Sequence, residues 1–296
     1  MWLVFAALSA VAFGLRGILY HWTSQKPINR NLMLFGVFCT GVVITLSLSL
    51  ILQQSWSIYN LVGIFMGLFS FAANGSMYKG FAVGKASLVA ILTGLPPVVV
   101  VVLAYILWGE TLTILQLGAF IIIIAGILIL RYSSDLSLKQ LQGAQWGLLT
   151  MLFFALNDLS GKQAMLFEAE IFPTLFMMFI TGSICFGSLW ITGKRRVNQT
   201  SPSTKAVTEL IQVQPWKESK TFFWGMLVGV TNASGMILVL PAFKLGITGL
   251  VSAVIAMNVL FILLYSRLFL KEKFSPREFS GICMALAGVI LLRLFD

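Results

Sequence analysis

The sequence has few charges and few of the side chains that carry chemistry. Only 10% of its 296 residues are charged, and it contains a single histidine and three cysteines. Cys39, Cys185 and Cys283 lie in different apolar segments at no spacing typical of metal ligands, so we interpret them as packing residues. No Walker motif and no cluster of histidine with carboxylates occurs. The sequence therefore predicts no catalytic residues, no metal site and no cofactor.

Apolar side chains are abundant instead. They make up 58% of the chain and give it a mean hydropathy of +0.94, which ordinary soluble domains do not reach. About 20 apolar residues suffice to cross the hydrocarbon of a bilayer as a helix. Ten such segments can be placed, at residues 2–24, 30–52, 57–79, 85–108, 114–131, 145–166, 172–192, 221–242, 246–269 and 276–294. This pattern predicts an all-α integral membrane protein with ten transmembrane helices.

The basic residues favour a membrane partner over a nucleic acid. A net charge of +10 would suggest nucleic-acid binding in a soluble protein. Here the lysines and arginines cluster in loops and at helix ends, mostly in the odd-numbered loops, as the positive-inside rule describes. We therefore expect the lipid bilayer as a partner and no nucleic acid, and the charge distribution places both termini outside the cytoplasm.

The chain contains an internal repeat. At a constant offset of 162, Gly63, Gly84, Glu110, Gly126 and Arg131 match Gly225, Gly246, Glu272, Gly288 and Arg293, and upstream Gly17 matches Gly161 at an offset of 144. An odd number of spans in each repeat makes the second half enter the membrane from the opposite side, which is a recurrent plan of secondary transporters. We predict two inverted five-helix repeats, at 1–131 and 145–296, joined by a linker at 132–144, with a polar loop at 193–220 in the second.

Paired glycines and one pair of prolines are interpreted as structural. Gly63 and Gly67 in the third helix, and Gly225 and Gly229 in the eighth, have the Gly-xxx-Gly spacing that lets helices approach closely in lipid. Pro96 and Pro97 predict a kink in the fourth helix, because a proline removes a backbone donor and frees a carbonyl.

A glutamate precedes the last helix of each repeat. Thr113 with Gln116, and Ser275 with Glu278, have the spacing of a capping box. Glu110 and Glu272 stand just before these caps, at the membrane edge, where a carboxylate accepts from exposed N–H groups or pairs with a lysine. We favour this structural role over a coupling role.

The repeated five-helix unit, the "GE" or "KE" step before a capped helix, and the endings "IAGILILR" and "LAGVILLR" resemble the EamA-type transporters of the drug/metabolite transporter superfamily. The resemblance covers the whole chain. It implies a central cavity lined by the first, third, fourth, sixth, eighth and ninth helices and worked by alternating access. The chain departs from some relatives. Small multidrug-resistance members couple protons through a glutamate in the first helix, where this chain has Arg16 and no acid, and many members have a proline in both the fourth and the ninth helix, where this chain has Pro96 and Asn258. Proton–drug antiport is therefore not carried over from the resemblance.

Six polar residues lie inside the apolar segments and are the candidate lining of such a cavity: Arg16, Asn74, Asn157, Asp158, Asn232 and Asn258. Intramembrane charges are costly and usually functional. Lys162 is one helical turn after Asp158 and would neutralise it in a structural pair, while Arg16 on the oppositely running first helix is a second candidate partner. A structural and a functional role for Asp158 are equally favoured by the sequence.

The predicted function is secondary transport of a small polar metabolite, such as an amino acid, across the cell membrane. Deep cations, namely Arg16, Lys79, Lys85, Lys162 and Lys244, outnumber the one deep acid, which favours an anionic or zwitterionic solute. A membrane-embedded enzyme, or a sensor or scaffold without transport, is the alternative. We expect a monomer or weak homodimer. Family resemblance places the termini in the cytoplasm, against the charge count.

Overall fold

The computed structural model describes residues 1–83, 89, 91–131, 143–199, 216–269 and 275–294, and within these ranges all regular structure is helical. Its helices are α1 (Trp2–Ser24), α2 (Arg30–Ile51), α3 (Val62–Val83), α4 (Pro96–Trp108), α5 (Ile114–Arg131), α6 (Ala144–Leu166), α7 (Ile171–Gln199), α8 (Glu218–Leu245), α9 (Thr248–Ala256), α10 (Asn258–Phe269) and α11 (Pro276–Leu294). A short 3-10 helix at Ile58–Leu61 leads into α3.

Six helical segments in the described ranges are long and apolar enough to cross a membrane. They are Trp2–Thr23, Arg30–Ile51, Ile58–Met77, Ile171–Arg195, Glu218–Leu245 and Thr248–Tyr265. Two shorter apolar helices accompany them, at Pro96–Trp108 and Ile114–Leu130. The chain is thus a multi-pass, all-helical membrane protein.

Local signals in the sequence fix several helix ends. The two predicted capping boxes form: Thr113 Oγ1 accepts from the Gln116 amide, and Ser275 Oγ accepts from the Glu278 amide, both at 3.2 Å. In each box the N3 side chain accepts in return from the backbone of the capping residue. Gly109 ends α4 with a φ of +66°, a left-handed conformation that glycine adopts without steric cost.

The fourth and ninth segments, predicted over 85–108 and 246–269, are both broken. The kink expected at Pro96 and Pro97 is present as a break just before Pro96, whereas no break was predicted in the ninth segment. The Leu95 amide donates to Leu92 and the Val98 amide donates to Leu95 around the first break. The same two bonds recur 162 residues later, where the Met257 amide donates to Val254 and the Leu260 amide to Met257. Because the second break has no proline, Pro96 is not required for this geometry. The break is a feature that both repeats share.

The paired glycines pack one repeat against the other. A Cβ at Gly63 would collide with the Thr174 carbonyl of α7, and a Cβ at Gly225 would collide with the Met33 carbonyl of α2. Gly67 and Gly229 contact the next turns of the same two helices. The third helix of each repeat therefore lies backbone to backbone against the second helix of the other, which only glycine permits.

The bundle has two ends that the contacts identify. At one end, which we call the Trp2 face, Trp2 packs where a Cβ of Gly246 would point, and Trp108 Nε1 donates to Gln163 Oε1 at 3.1 Å. At the other, the Trp22 face, the rings of Trp22 and Trp224 lie 4.5 Å apart and the Trp216 amide donates to the Pro27 carbonyl. The candidate site lies between these faces.

Candidate functional site

A cavity of about 240 Å³ opens in the middle of the bundle. Its walls come from α1, α3, α4, α6, α8, α9 and α10, with Met178 added from α7. All six polar residues singled out in the sequence border it, namely Arg16, Asn74, Asn157, Asp158, Asn232 and Asn258, and so do Pro96 and Pro97. The structure thus brings together side chains that lie as far as 242 positions apart in the chain, from Arg16 to Asn258.

Arg16 is held in place from two sides. Its Nη1 donates to Asn232 Oδ1 at 2.7 Å, and its guanidinium carbon lies 4.4 Å from the centroid of the Phe13 ring. Stacking on an aromatic face and a short bond to an amide orient the guanidinium. A fixed cation in a small cavity can bind a carboxylate or another planar anion.

Asp158 does not pair with Lys162, so the i,i+4 ion pair, one of the two alternatives that the sequence left open, does not form. Instead, Ser252 Oγ of α9 donates to Asp158 Oδ2 at 2.6 Å. The Asn157 side chain interacts with the same carboxylate. Both partners are uncharged, and Asp158 keeps a partly exposed position in the cavity wall, where it can accept from a cation.

Lys162 pairs with Glu110. Its Nζ lies 3.0 Å from Glu110 Oε1 and also donates to the carbonyls of Phe243 and Gly246, where α8 ends. The unpaired carbonyls at a helix C-terminus attract cations, and together with the carboxylate they draw the lysine away from Asp158. Glu110 in turn accepts from the backbone amide of Thr248 at 2.8 Å and from its hydroxyl at 2.9 Å. Glu272 lies outside the described residues.

The three other asparagines differ in how their amides are used. Asn74 Nδ2 donates to the Ser70 carbonyl at 2.7 Å, one turn back on α3. Asn258 is the first residue of α10, at the break. Asn157 is 7% exposed, and its Oδ1 has no hydrogen-bond partner among the described residues. A buried acceptor without a donor is costly unless something else supplies the hydrogen bond, which a bound solute can do.

The count of deep cations changes with the structure. Lys162 forms an ion pair with Glu110. Lys244 is exposed, and so is Lys79, whose Nζ lies 4.1 Å from the centroid of the Trp146 ring. Lys85 lies outside the described residues. Among the described cations of that set, only Arg16 borders the cavity. Of the charged residues considered, one described cation, Arg16, and one anion, Asp158, therefore border the cavity.

The sequence did not identify Ser252 or the apolar wall. Ser252 is a hydroxyl in an otherwise apolar stretch, but serines commonly bond to their own helix, so only its partner across the cavity reveals its role. Met77, Met178 and Met236 line the cavity with Phe154. Methionine and phenylalanine are abundant throughout the chain, and no periodic signal distinguishes those that face a cavity from those that face lipid.

Comparisons with known proteins agree with this architecture. The family model of the EamA-like transporter family matches twice, over residues 1–132 and 141–294. A solved structure described only as "Crystal structure of protein" superposes with a TM-score of 0.74 over 100% of this chain and 99% of that chain, at 11% identity, a likeness that concerns the fold alone. No curated protein matches the sequence. Because the two family matches together span almost the whole sequence, the chain belongs to the EamA-like transporter family.

Proposed function

We propose that the chain is a ten-span secondary transporter with two inverted repeats, which carries a small zwitterionic metabolite across the cell membrane by alternating access. The observation that carries this proposal is the presence of one cation and one anion in the wall of the same cavity. Arg16 supplies one fixed cation and Asp158 one fixed anion, and both border the same space of about 240 Å³. A solute with a carboxylate and an ammonium group would satisfy both.

The surroundings of the two charges favour the same solute. Asn157 Oδ1, which has no partner among the described residues, can accept one ammonium hydrogen next to Asp158. Helices α4 and α10, which follow the two breaks, begin at the cavity with Pro96 and Asn258. Helix N-termini carry partial positive charge and favour a carboxylate near Arg16.

The size and the apolar wall restrict the rest of the solute. The volume is below the range of roughly 300–1,000 Å³ that accommodates drug-sized ligands, so a small metabolite fits better. Met178, Met236 and Phe154 form an unbranched or aromatic surface that adapts to an apolar side chain. An amino acid with an apolar side chain has this combination of groups.

Alternating access is supported by the way the repeats contact each other. The close contact of α3 with α7 has its counterpart in the contact of α8 with α2. Two halves that pack through equivalent contacts can exchange their arrangements, so that a conformation open to one face has a counterpart open to the other. The helix breaks at Leu95 and Met257 border the cavity in both repeats and provide points where a span can bend.

The experiment compares zwitterions with solutes that bear one charge. Purified protein is heated with apolar amino acids, with the corresponding carboxylic acids that lack the amine, and with the corresponding amines that lack the carboxylate. Binding to the folded state raises the melting temperature by mass action. We expect a shift with the zwitterions alone, lost in both Asp158→Asn and Arg16→Gln.

Transport itself is measured as exchange of labelled solute into proteoliposomes preloaded with the same solute. Glu218→Gln is the matched control, since it removes a carboxylate from an exposed ion pair with Lys194. Equal shifts with the acids and the zwitterions would remove Asp158 from the site. A melting temperature that no solute changes, together with no exchange, would reject the proposal.

A further inference from the structure

A second polar cluster lies one helical turn from Asp158, toward the Trp2 face. Lys162 follows Asp158 by four residues on α6, and Thr248 precedes Ser252 by four residues on α9. The bond between Asp158 and Ser252 and the cluster of Lys162, Glu110 and Thr248 are therefore two successive polar contacts between the same two helices.

The cluster joins four helix ends. Glu110 follows α4, Lys162 stands in the last turns of α6, the carbonyls of Phe243 and Gly246 end α8, and Thr248 begins α9. The side chains of Lys162 and Glu110 are only 9% and 17% exposed. Their contacts join these four helices at a level beyond the cavity.

We propose that Glu110 and Lys162 form a polar latch that closes the cavity at the Trp2 face and opens when the transporter changes conformation. This inference rests on the proposed transport function. Val239 borders the cavity, and one turn further along α8 the Phe243 carbonyl already accepts from Lys162. A solute in the cavity can reach the Trp2 face between α6, α8 and α9 only if the latch separates.

The sequence provides both partners of the latch once, which favours a functional role over a general requirement of the fold. In the register that matches Gly17 with Gly161, the residue equivalent to Lys162 is Ile18, and Gly14 is equivalent to Asp158. The glutamate recurs, as Glu272, but the lysine does not. Glu110 belongs to the first repeat and Lys162 to the second, so a contact needed to join the repeats at both faces would require both partners twice.

A buried ion pair also suits a contact that must open. Relative to apolar packing such a pair adds little net stability, because its attraction is offset by the loss of hydration. When the helices separate, water hydrates both groups again, so opening costs less than the close approach of the charges suggests. An ammonium group bound by Asp158 would compete with the Ser252 hydroxyl and weaken the neighbouring contact between α6 and α9.

The test measures access to the cavity from the Trp2 face. Cys39, Cys185 and Cys283 are replaced by alanine, and Val239→Cys serves as the reporter in proteoliposomes treated with a membrane-impermeant maleimide. Ser55→Cys, in the exposed loop after α2, labels the Trp2 face and calibrates the orientation of the protein. Because no solute is needed, the result is independent of whether a zwitterion is transported.

The latch is then altered in three ways. Glu110→Gln keeps an oxygen acceptor for Thr248 and removes the charge, Lys162→Met removes the donors, and the double variant leaves no buried charge without a partner. We expect each to raise the labelling rate of Val239→Cys from the Trp2 face by about tenfold, within the range of ordinary conformational couplings. Glu218→Gln, which breaks the exposed pair with Lys194, should leave the rate unchanged.

An unchanged labelling rate in folded Glu110→Gln would overturn the latch, whatever the other variants do, since this is the mildest change and retains the capping contact. Folding is checked by a monodisperse elution profile and a defined melting transition. Faster labelling combined with no zwitterion transport would leave the latch standing and reject the proposed solute. Transport combined with unchanged labelling would do the reverse.

Discussion

Phe38 and Phe179 occupy equivalent positions in the two repeats, and each ring lies on a glycine of the other repeat. Phe38 of α2 contacts Gly182, while Phe179 of α7 contacts Gly41, and the two ring centroids are 5.8 Å apart in an edge-to-face arrangement. Both pairs are related by an offset of 141 residues. The contact between α2 and α7 is therefore symmetric: exchanging the two repeats reproduces the same contact.

Enlarging either glycine should weaken the protein by a similar amount. In Gly41→Val and Gly182→Val the new side chain would collide with a phenylalanine ring, and overpacking of this kind costs about 1–3 kcal/mol. We expect both variants to lower the melting temperature to nearly the same extent. Gly118→Ala is the control, because a Cβ there meets nothing within 4 Å and alanine favours the helix. Markedly different losses for Gly41→Val and Gly182→Val would argue against equivalent environments.

The parts of the fold that could be predicted from the sequence are those marked by a recurring physical signal. Hydrophobic length gave the positions of most helices to within a few residues, and the capping boxes marked the starts of α5 and α11. The repeat register also related Gly63 to Gly225, which pack on equivalent helices. The break before Pro96 was expected as a proline kink, whereas the break at Met257 was not predicted, because Met257 has neither proline nor glycine beside it.

The polar residues show where sequence reasoning stops. Burying a charged side chain in a bilayer is costly, which identified Arg16 and Asp158 as candidates, and both border the cavity. Their partners were not predictable. Lys162 is at the correct spacing for Asp158, but a carboxylate and two carbonyls from distant segments compete for it and attract it more strongly. Spacing along one helix shows which side chains can meet, but tertiary packing determines which of them do.

Arg16→Lys should impair solute binding although it keeps the charge. An ammonium group can neither stack flat on Phe13 nor present a planar pair of donors, so it would lose the orientation that the bond to Asn232 gives the guanidinium. We expect the zwitterion concentration for half-maximal thermal stabilisation to rise about tenfold or more, equivalent to about 1.4 kcal/mol. The exposed Arg195→Lys is the control and should change nothing. An unchanged concentration in Arg16→Lys would remove the guanidinium from the binding site.

Asn258→Pro should be tolerated, since it recreates in the second repeat the residue that Pro96 provides in the first. Position 258 begins α10 after the break at Met257, and proline is well accommodated at the first position of a helix. We expect the free energy of unfolding to change by less than about 0.5 kcal/mol, as for an ordinary permissive site. Ala253→Pro, inside α9, should cost about 3 kcal/mol or more. Comparable losses in the two variants would show that the break at Met257 is not equivalent to that at Leu95.

Asn157→Leu should separate stability from binding. The Oδ1 atom of Asn157 has no partner among the described residues, and an apolar side chain there removes a desolvation cost of about 1–3 kcal/mol, which offsets the lost contact of the Asn157 side chain with the Asp158 carboxylate. We therefore expect the empty protein to melt at the same or a higher temperature, while the shift produced by a zwitterion disappears. The measurement is the melting temperature of the variant with and without solute.

Asn60→Leu provides the contrast, because its amide is fully engaged. Asn60 Nδ2 donates to the Glu170 carbonyl and to Thr174 Oγ1, and its Oδ1 accepts from the Ser57 amide at 2.7 Å. Removing it leaves several buried groups without partners, so the empty protein should lose about 1–3 kcal/mol of stability. A loss of stability in Asn157→Leu as large as that in Asn60→Leu would mean that Asn157 stabilises the fold. The hydrogen-bond acceptor for the solute would then have to be another residue of the cavity.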